Sequence, residues 1–142
     1  MNEKTLKIKD FLGQEQEVIP KLFLYEVPDF MGKKMTIPGI QLYSREDGML
    51  MPYATLTKSF GEFIGAKNCA YIDTNNYSFA PQLLAMGFVK DTGLTKESGR
   101  CIYPLWVFDE SFLREIGGEK YEQYSREYDE YMRSFEGDEN DE

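Results

Sequence analysis

The stretch KYEQYSREYDEYMRSF, residues 120–135, sets Tyr121, Tyr124, Tyr128, Tyr131 and Phe135 three, four, three and four residues apart. That spacing lines five rings along one face of a helix and puts most of the charges on the other. The repeat is close to a heptad but lasts only about two, too short for a long coiled coil. Three arrangements use such a stripe. The helix can lay it on a sheet, ring bodies buried and hydroxyls at the solvent edge. It can face a protein partner or a second copy of the chain, since tyrosine is large, stiff and amphipathic. Or the rings can stack on nucleobases, which the neighbouring Glu122, Glu127, Asp129 and Glu130 oppose electrostatically.

Charge sharpens the same point. The chain carries 25 acidic and 16 basic residues, a net charge of −9. Residues 1–118 contribute only −2, whereas residues 119–142, with 10 acids and 3 bases, contribute −7. Such a field repels nucleic acid and attracts cationic surfaces, so no direct nucleic-acid partner is expected. The segment EGDENDE, residues 136–142, has five acids, no base and no apolar residue, and is expected to be a disordered acidic tail. Residues 1–135 are expected to form one domain.

Several classes of chemistry fall away. The chain has no histidine, which removes Ser-His and Cys-His catalysis and every His-containing zinc site. Cys69 and Cys101 lie 32 residues apart without a C-x-x-C spacing and read as small residues of a reducing compartment. No phosphate loop or dinucleotide fingerprint occurs. We therefore expect no metal, no cofactor and no enzymatic activity. The charged opening MNEKTLKIKD has no secretory h-region, and no apolar run reaches the eighteen or so residues of a membrane span. A soluble, cytoplasmic protein is expected, with no membrane partner.

The remainder alternates and turns. TLKIKDF (5–11) and VIPKLFLYEV (18–27) read as strands of an opening hairpin, and residues 28–39, with Pro28, Gly32, Pro38 and Gly39, as a loop or irregular edge. A central hairpin follows over 39–60, turning at Glu46-Asp47-Gly48, and then a strand at 69–73. SFAPQLLAMG (78–87) predicts a helix with Pro81 in its first turn and Gly87 at its end. Residues 88–108 form another hairpin around Ser98-Gly99. A short helix at 111–117, capped by Asp109 or Ser111, precedes the tyrosine helix. The order predicts an α+β fold: an antiparallel sheet of about five to seven strands, one mid-chain helix, and C-terminal helices packed on or beside the sheet.

Three clusters could carry chemistry. In YIDTNN, the oxygens of Asp73, Thr74, Asn75 and Asn76 could bind a small ligand or a hard cation. The plainer alternative is Asx turns and a cap for the following helix. TKESGRC (95–101) gathers Lys96, Glu97, Ser98 and Arg100 but reads as a solvated turn. YPLWVF (103–108) could be an aromatic platform but reads as the heart of a sheet, where Trp106 needs a partner for its indole N–H.

Three ordered motifs resemble the domain of unknown function 4313 family, whose members occur on conjugative transposons and phages of gut bacteria. The first is Leu42-Tyr43, Glu46-Asp47-Gly48 and Pro52-Tyr53-Ala54-Thr55-Leu56-Thr57. The second is Tyr71-Ile72-Asp73-Thr74-Asn75-Asn76, with isoleucine where the family has valine. The third is Ser98-Gly99-Arg100-Cys101-Ile102-Tyr103-Pro104-Leu105-Trp106-Val107-Phe108-Asp109, with Trp106 where the family has tyrosine. The resemblance spans about residues 40–110 and departs from the family in the 25–39 insertion and the acidic tyrosine helix.

The resemblance brings no catalytic residues with it. It implies an accessory protein of a mobile element, a setting in which acidic antagonists of host nucleases, anti-restriction and anti-CRISPR proteins, are common. The leading expectation is a non-catalytic inhibitor that occupies a cationic surface on a nuclease or other nucleic-acid-binding host protein. Its partner-binding residues would be Tyr121, Glu122, Tyr124, Glu127, Tyr128, Asp129, Glu130 and Tyr131. The alternatives are a ligand or metal module, possibly enzymatic, around Asp73-Asn76, and a homodimer with the tyrosine stripe as its seam.

Overall fold

Leu6 and Ile8 alternate with Lys7 and Lys9, and in the computed structural model, which describes residues 3–140, they form strand β1 (Leu6–Lys9) with both apolar side chains buried. β1 pairs antiparallel with β2 (Glu15–Pro28), β2 with β3 (Lys34–Glu46), and β3 with β4 (Met49–Thr55). A second antiparallel sheet contains β5 (Thr57–Lys58), β6 (Cys69–Ile72), β7 (Val89–Ser98) and β8 (Cys101–Phe108) in the order β5-β6-β8-β7. The fold is α+β, with eight strands among the described residues in two sheets of four, where one sheet of about five to seven was expected.

One run of chain explains the doubling. Residues 49–58 serve the first sheet as β4 and the second as β5, and Leu56 is the step between them. The Leu56 N–H donates to the Ile40 carbonyl, and the Leu56 carbonyl accepts from the Asp73 N–H. Strands that switch sheets at a bend are how two sheets meet at a corner.

Residues 28–39 differ most from expectation. The turn is confined to 29–33, and most of the remainder lies in a long two-stranded arm in which Pro38 faces Leu24 and Gly39 faces Phe23. Proline is tolerated there because β4 begins to pair β3 only at Gln41, so Pro38 sits where β3 has one neighbour. Gly39 is required for space: a Cβ there would come within 2.5 Å of the Phe23 ring.

The predicted mid-chain helix is a 3-10 helix, Ala80–Met86, with Pro81 in its first turn and Gly87 in the left-handed region at its end (φ 89°). Helix α1 (Glu110–Gly117) follows β8, with Asp109 at its N-cap position in extended geometry. Helix α2 (Glu119–Asn140) carries the tyrosines. Of the acidic tail expected over 136–142, residues 141 and 142 lie outside the described residues.

Side chains from both sheets, the 3-10 helix, α1 and α2 join in one core that includes Ile8, Leu42, Leu56, Ile72, Leu83, Trp106, Leu113 and Tyr121. Trp106 is the sheet-core residue the sequence suggested, but its buried indole N–H has no hydrogen-bond partner among the described residues. Cys69 is buried, Cys101 half-buried, and both are free thiols.

The joint between α1 and α2 sits against β2. A Cβ at Gly117 would lie 2.3 Å from Leu22 Cδ2 and 3.0 Å from Leu22 Cβ. Leu22 is buried, so it has little room to yield. Gly117→Ala should therefore cost about 1–3 kcal/mol by overpacking, measured by urea denaturation. Leu22→Ala in the same chain should recover part of that loss, and strictly additive losses would show that the two sites do not meet.

Candidate interaction surface

The tyrosine stripe turns inward. Tyr121, Tyr124, Tyr128 and Tyr131 are all buried, while Phe135 at the end of the stripe is exposed. This answers why phenols stand where leucines would usually serve: the ring bodies fill the core while each hydroxyl, at or near its edge, finds a polar partner. Tyr121 donates to Asn68 Oδ1 at 2.9 Å, and the Asn68 N–H donates to Tyr124 Oη at 2.9 Å. Tyr128 donates to the Gly65 carbonyl and Tyr131 to Asp29 Oδ2, both at 2.8 Å. Four phenols thus pin residues 65–68 and the β2–β3 turn onto α2. Tyr121, Tyr124, Tyr128 and Tyr131, expected as partner-binding residues, are placed in the core, and of the four Tyr131 also lines a surface cleft.

The acids expected beside them lie on the outer side of α2, and several already have internal partners. Glu122 pairs with Arg114 (2.5 Å) and Asp129 with Lys67 (2.9 Å). Glu127 accepts from the Thr36 hydroxyl and the Gln123 amide. Glu130 is exposed. Arg114 holds the Glu122 carboxyl below the ordinary glutamate range, chiefly through their hydrogen bond.

The Asp73-Asn76 cluster is tied up in internal hydrogen bonds, but it does not cap the following helix, whose N-cap position is Phe79 with no side-chain cap hydrogen bond. Asp73 Oδ1 accepts from the Asn76 N–H and Oδ2 from the Asn76 side-chain amide, while Asn75 Nδ2 donates to the Ile102 carbonyl. These bonds brace the turn after β6, with the Asp73 carboxylate closing it three residues on. Among the described residues, no three His, Cys, Asp or Glu side chains gather as a metal site would require.

Asp29 is the polar residue that sequence reasoning passed over. Its Oδ1 accepts the N–H groups of Met31 and Lys33, both at 2.8 Å, which closes the β2–β3 turn and projects Phe30 and Met31 into solvent. The residues sit in PDFMGKK, a local turn pattern, and the contact with Tyr131 spans 102 residues. Burial works to raise the Asp29 carboxyl, but hydrogen bonds from Tyr131, Lys33 and Met31 and the Lys33 charge outweigh it and hold the group below its ordinary 3.8. The sign follows: Asp29 stabilises the fold above pH 4 and ceases to do so as pH falls through its lowered value. Asp29→Asn should therefore flatten the decline of urea-measured stability below pH 4. An unchanged acid limb would remove this linkage.

Two clefts meet beside this turn. One, of about 310 Å³, is lined by Ile37, Phe60, Glu62, Phe63, Tyr71 and Lys96 among others. There Lys96 pairs with Glu62 (2.5 Å) and stands 5.3 Å from the Phe60 ring centre. The hydrogen bond to Glu62 raises the Lys96 ammonium above its ordinary value, so it remains charged. The second, of about 360 Å³, is lined by Pro28, Asp29, Phe30, Gly61, Glu62, Phe63 and Tyr131. Glu62 and Phe63 border both. Their segment, GEFIG, carries no local signal beyond its glycines.

Residues 25–128 match a family described as Domain of unknown function (DUF4313). No curated protein and no solved structure matches the chain.

Proposed function

The chain belongs to the DUF4313 family, and from that premise and its surface we propose that it is a non-catalytic, acidic protein-binding accessory protein of a mobile element. In this reading its partner is a host defence nuclease, and the outer face and C-terminal end of α2 cover the nuclease's cationic nucleic-acid-binding surface. The observation that carries it is the distribution of charge: −7 of the net −9 falls in residues 119–142, a segment that begins with α2, whose inner face is committed to the core. Clustered carboxylates raise the rate of encounter with a basic surface and orient the approach. Apolar anchoring comes from Phe135, Met132, Phe30 and Met31, all exposed, in place of the buried tyrosines.

Removing residues 119–142 would strip the core of four buried rings, so the test must alter charge and leave the helix. Phage plating should be compared on bacteria carrying defined restriction or CRISPR systems, with and without the chain. The native chain should raise plating on at least one such host. A variant with Glu130, Glu136, Asp138, Glu139, Asp141 and Glu142 changed to their amides should raise it less while folding equally well. No gain on any host, or full protection by the amide variant, would overturn the reading.

A further inference from the structure

We propose that the cleft between the β2–β3 turn, residues 61–63 and Tyr131 receives the side chain of an arginine in a basic segment of the partner protein. This inference rests on the protein-binding reading above and gives that reading a specific contact. The lining combines three aromatic rings, Phe30, Phe63 and Tyr131, with two carboxylates, Asp29 and Glu62, and contains no lysine or arginine. Phe63 and Tyr131 stand at 73° with ring centres 5.1 Å apart, which makes an aromatic corner. Cations are attracted to the faces of such rings, and a guanidinium is the cation that can stack on a ring while bonding a carboxylate through its edge.

The molecule already uses the same chemistry on either side of this cleft. Lys96 lies over Phe60 and pairs with Glu62 in the adjoining cleft. Lys33 lies 5.5 Å from the Tyr131 ring centre, where a further cleft is lined by Lys33, Lys34, Glu127 and Glu130. The middle cleft has rings and carboxylates with no cation in its own lining, while Lys96 and Lys33 reach Glu62 and Asp29 from the clefts on either side. Its two acids divide the work. Both Asp29 oxygens already accept hydrogen bonds, so Asp29 supplies a fixed negative charge. Glu62 is exposed and has one oxygen on Lys96, so it supplies the direct contact. Phe30 and Met31, standing in solvent at the rim, cover the stem of the incoming side chain.

The test is an amide NMR titration of the full chain with a hexa-arginine peptide and, in parallel, hexa-lysine. Arginine should give saturable shifts centred on Phe30, Gly61, Glu62 and Phe63, and lysine weaker ones. Glu62→Gln should weaken arginine binding about tenfold or more. Lys96→Gln, which releases the Glu62 carboxylate, should bind as well as the native chain or better. Shifts confined to α2 with the cleft amides unmoved would overturn this inference and leave the acidic-surface reading standing, as would undiminished binding by Glu62→Gln. Shifts nowhere would overturn both. Saturable binding in the cleft together with a failed plating test would uphold the site and remove the nuclease.

Discussion

Tyr124→Ala should lose about 3–5 kcal/mol of folding stability, the cost of removing a large buried aromatic side chain. The ring is 2% exposed, lies between Tyr121 and Tyr128 at 6.1 Å on each side, and is the middle of the seam between α2 and the rest of the core. Tyr124→Phe keeps the ring and deletes the acceptor of the Asn68 N–H, so it should cost far less, about 0.5–1.5 kcal/mol. Urea denaturation of the two variants separates the parts played by ring and hydroxyl. Equal losses would mean that the hydroxyl, and not burial, dominates. A loss below about 1 kcal/mol for the alanine variant would mean that α2 is an appendage whose removal the fold tolerates.

The second large effect is alkaline unfolding. Burial is the leading cause that raises the phenols of Tyr121, Tyr124, Tyr128 and Tyr131 above the ordinary value of 10.0, and Tyr25, at the arm, is raised in the same way. The folded chain therefore keeps protons that the unfolded chain releases, so stability is intact below pH 10 and falls as pH climbs beyond it. Tyr124, the most deeply desolvated, alone contributes a loss of about 1.4 kcal/mol for each pH unit above 10, up to its own raised value. Tyrosinate absorbance should accordingly rise in a cooperative step that coincides with loss of circular dichroism. Smooth titration of all 10 tyrosines near pH 10 with the fold intact would contradict the burial of the stripe.

The helical stripe was legible because its periodicity is a local property, but its direction was not. The same spacing serves a core or a partner, and what decides is the presence of Asn68, Gly65 and Asp29 opposite the hydroxyls, at separations of 53–102 residues. The α+β class followed from alternation and turn residues, as at Leu6 and Ile8. The 28–39 arm was missed because Pro38 and Gly39 are punctuation in most contexts; here one lies on a strand with a single neighbour and the other under two rings. The division into two sheets turns on Leu56, whose backbone bonds in both directions, and no residue type marks such a step. Glu62 and Phe63 were invisible for a similar reason: a short glycine-flanked run says nothing of Phe30 and Tyr131, which complete the cleft around it.

Segments that bind partners often become ordered only on contact, and the entropy lost then is subtracted from affinity. Residues 65–68 are held to α2 by three phenols, and the β2–β3 turn is held by a carboxylate bonded to its own backbone and to a fourth. A ligand arriving between them meets walls already in place. Complexes of this kind approach rigid docking, in which free and bound backbones superpose closely and substitutions in the walls act mainly on the rate of dissociation.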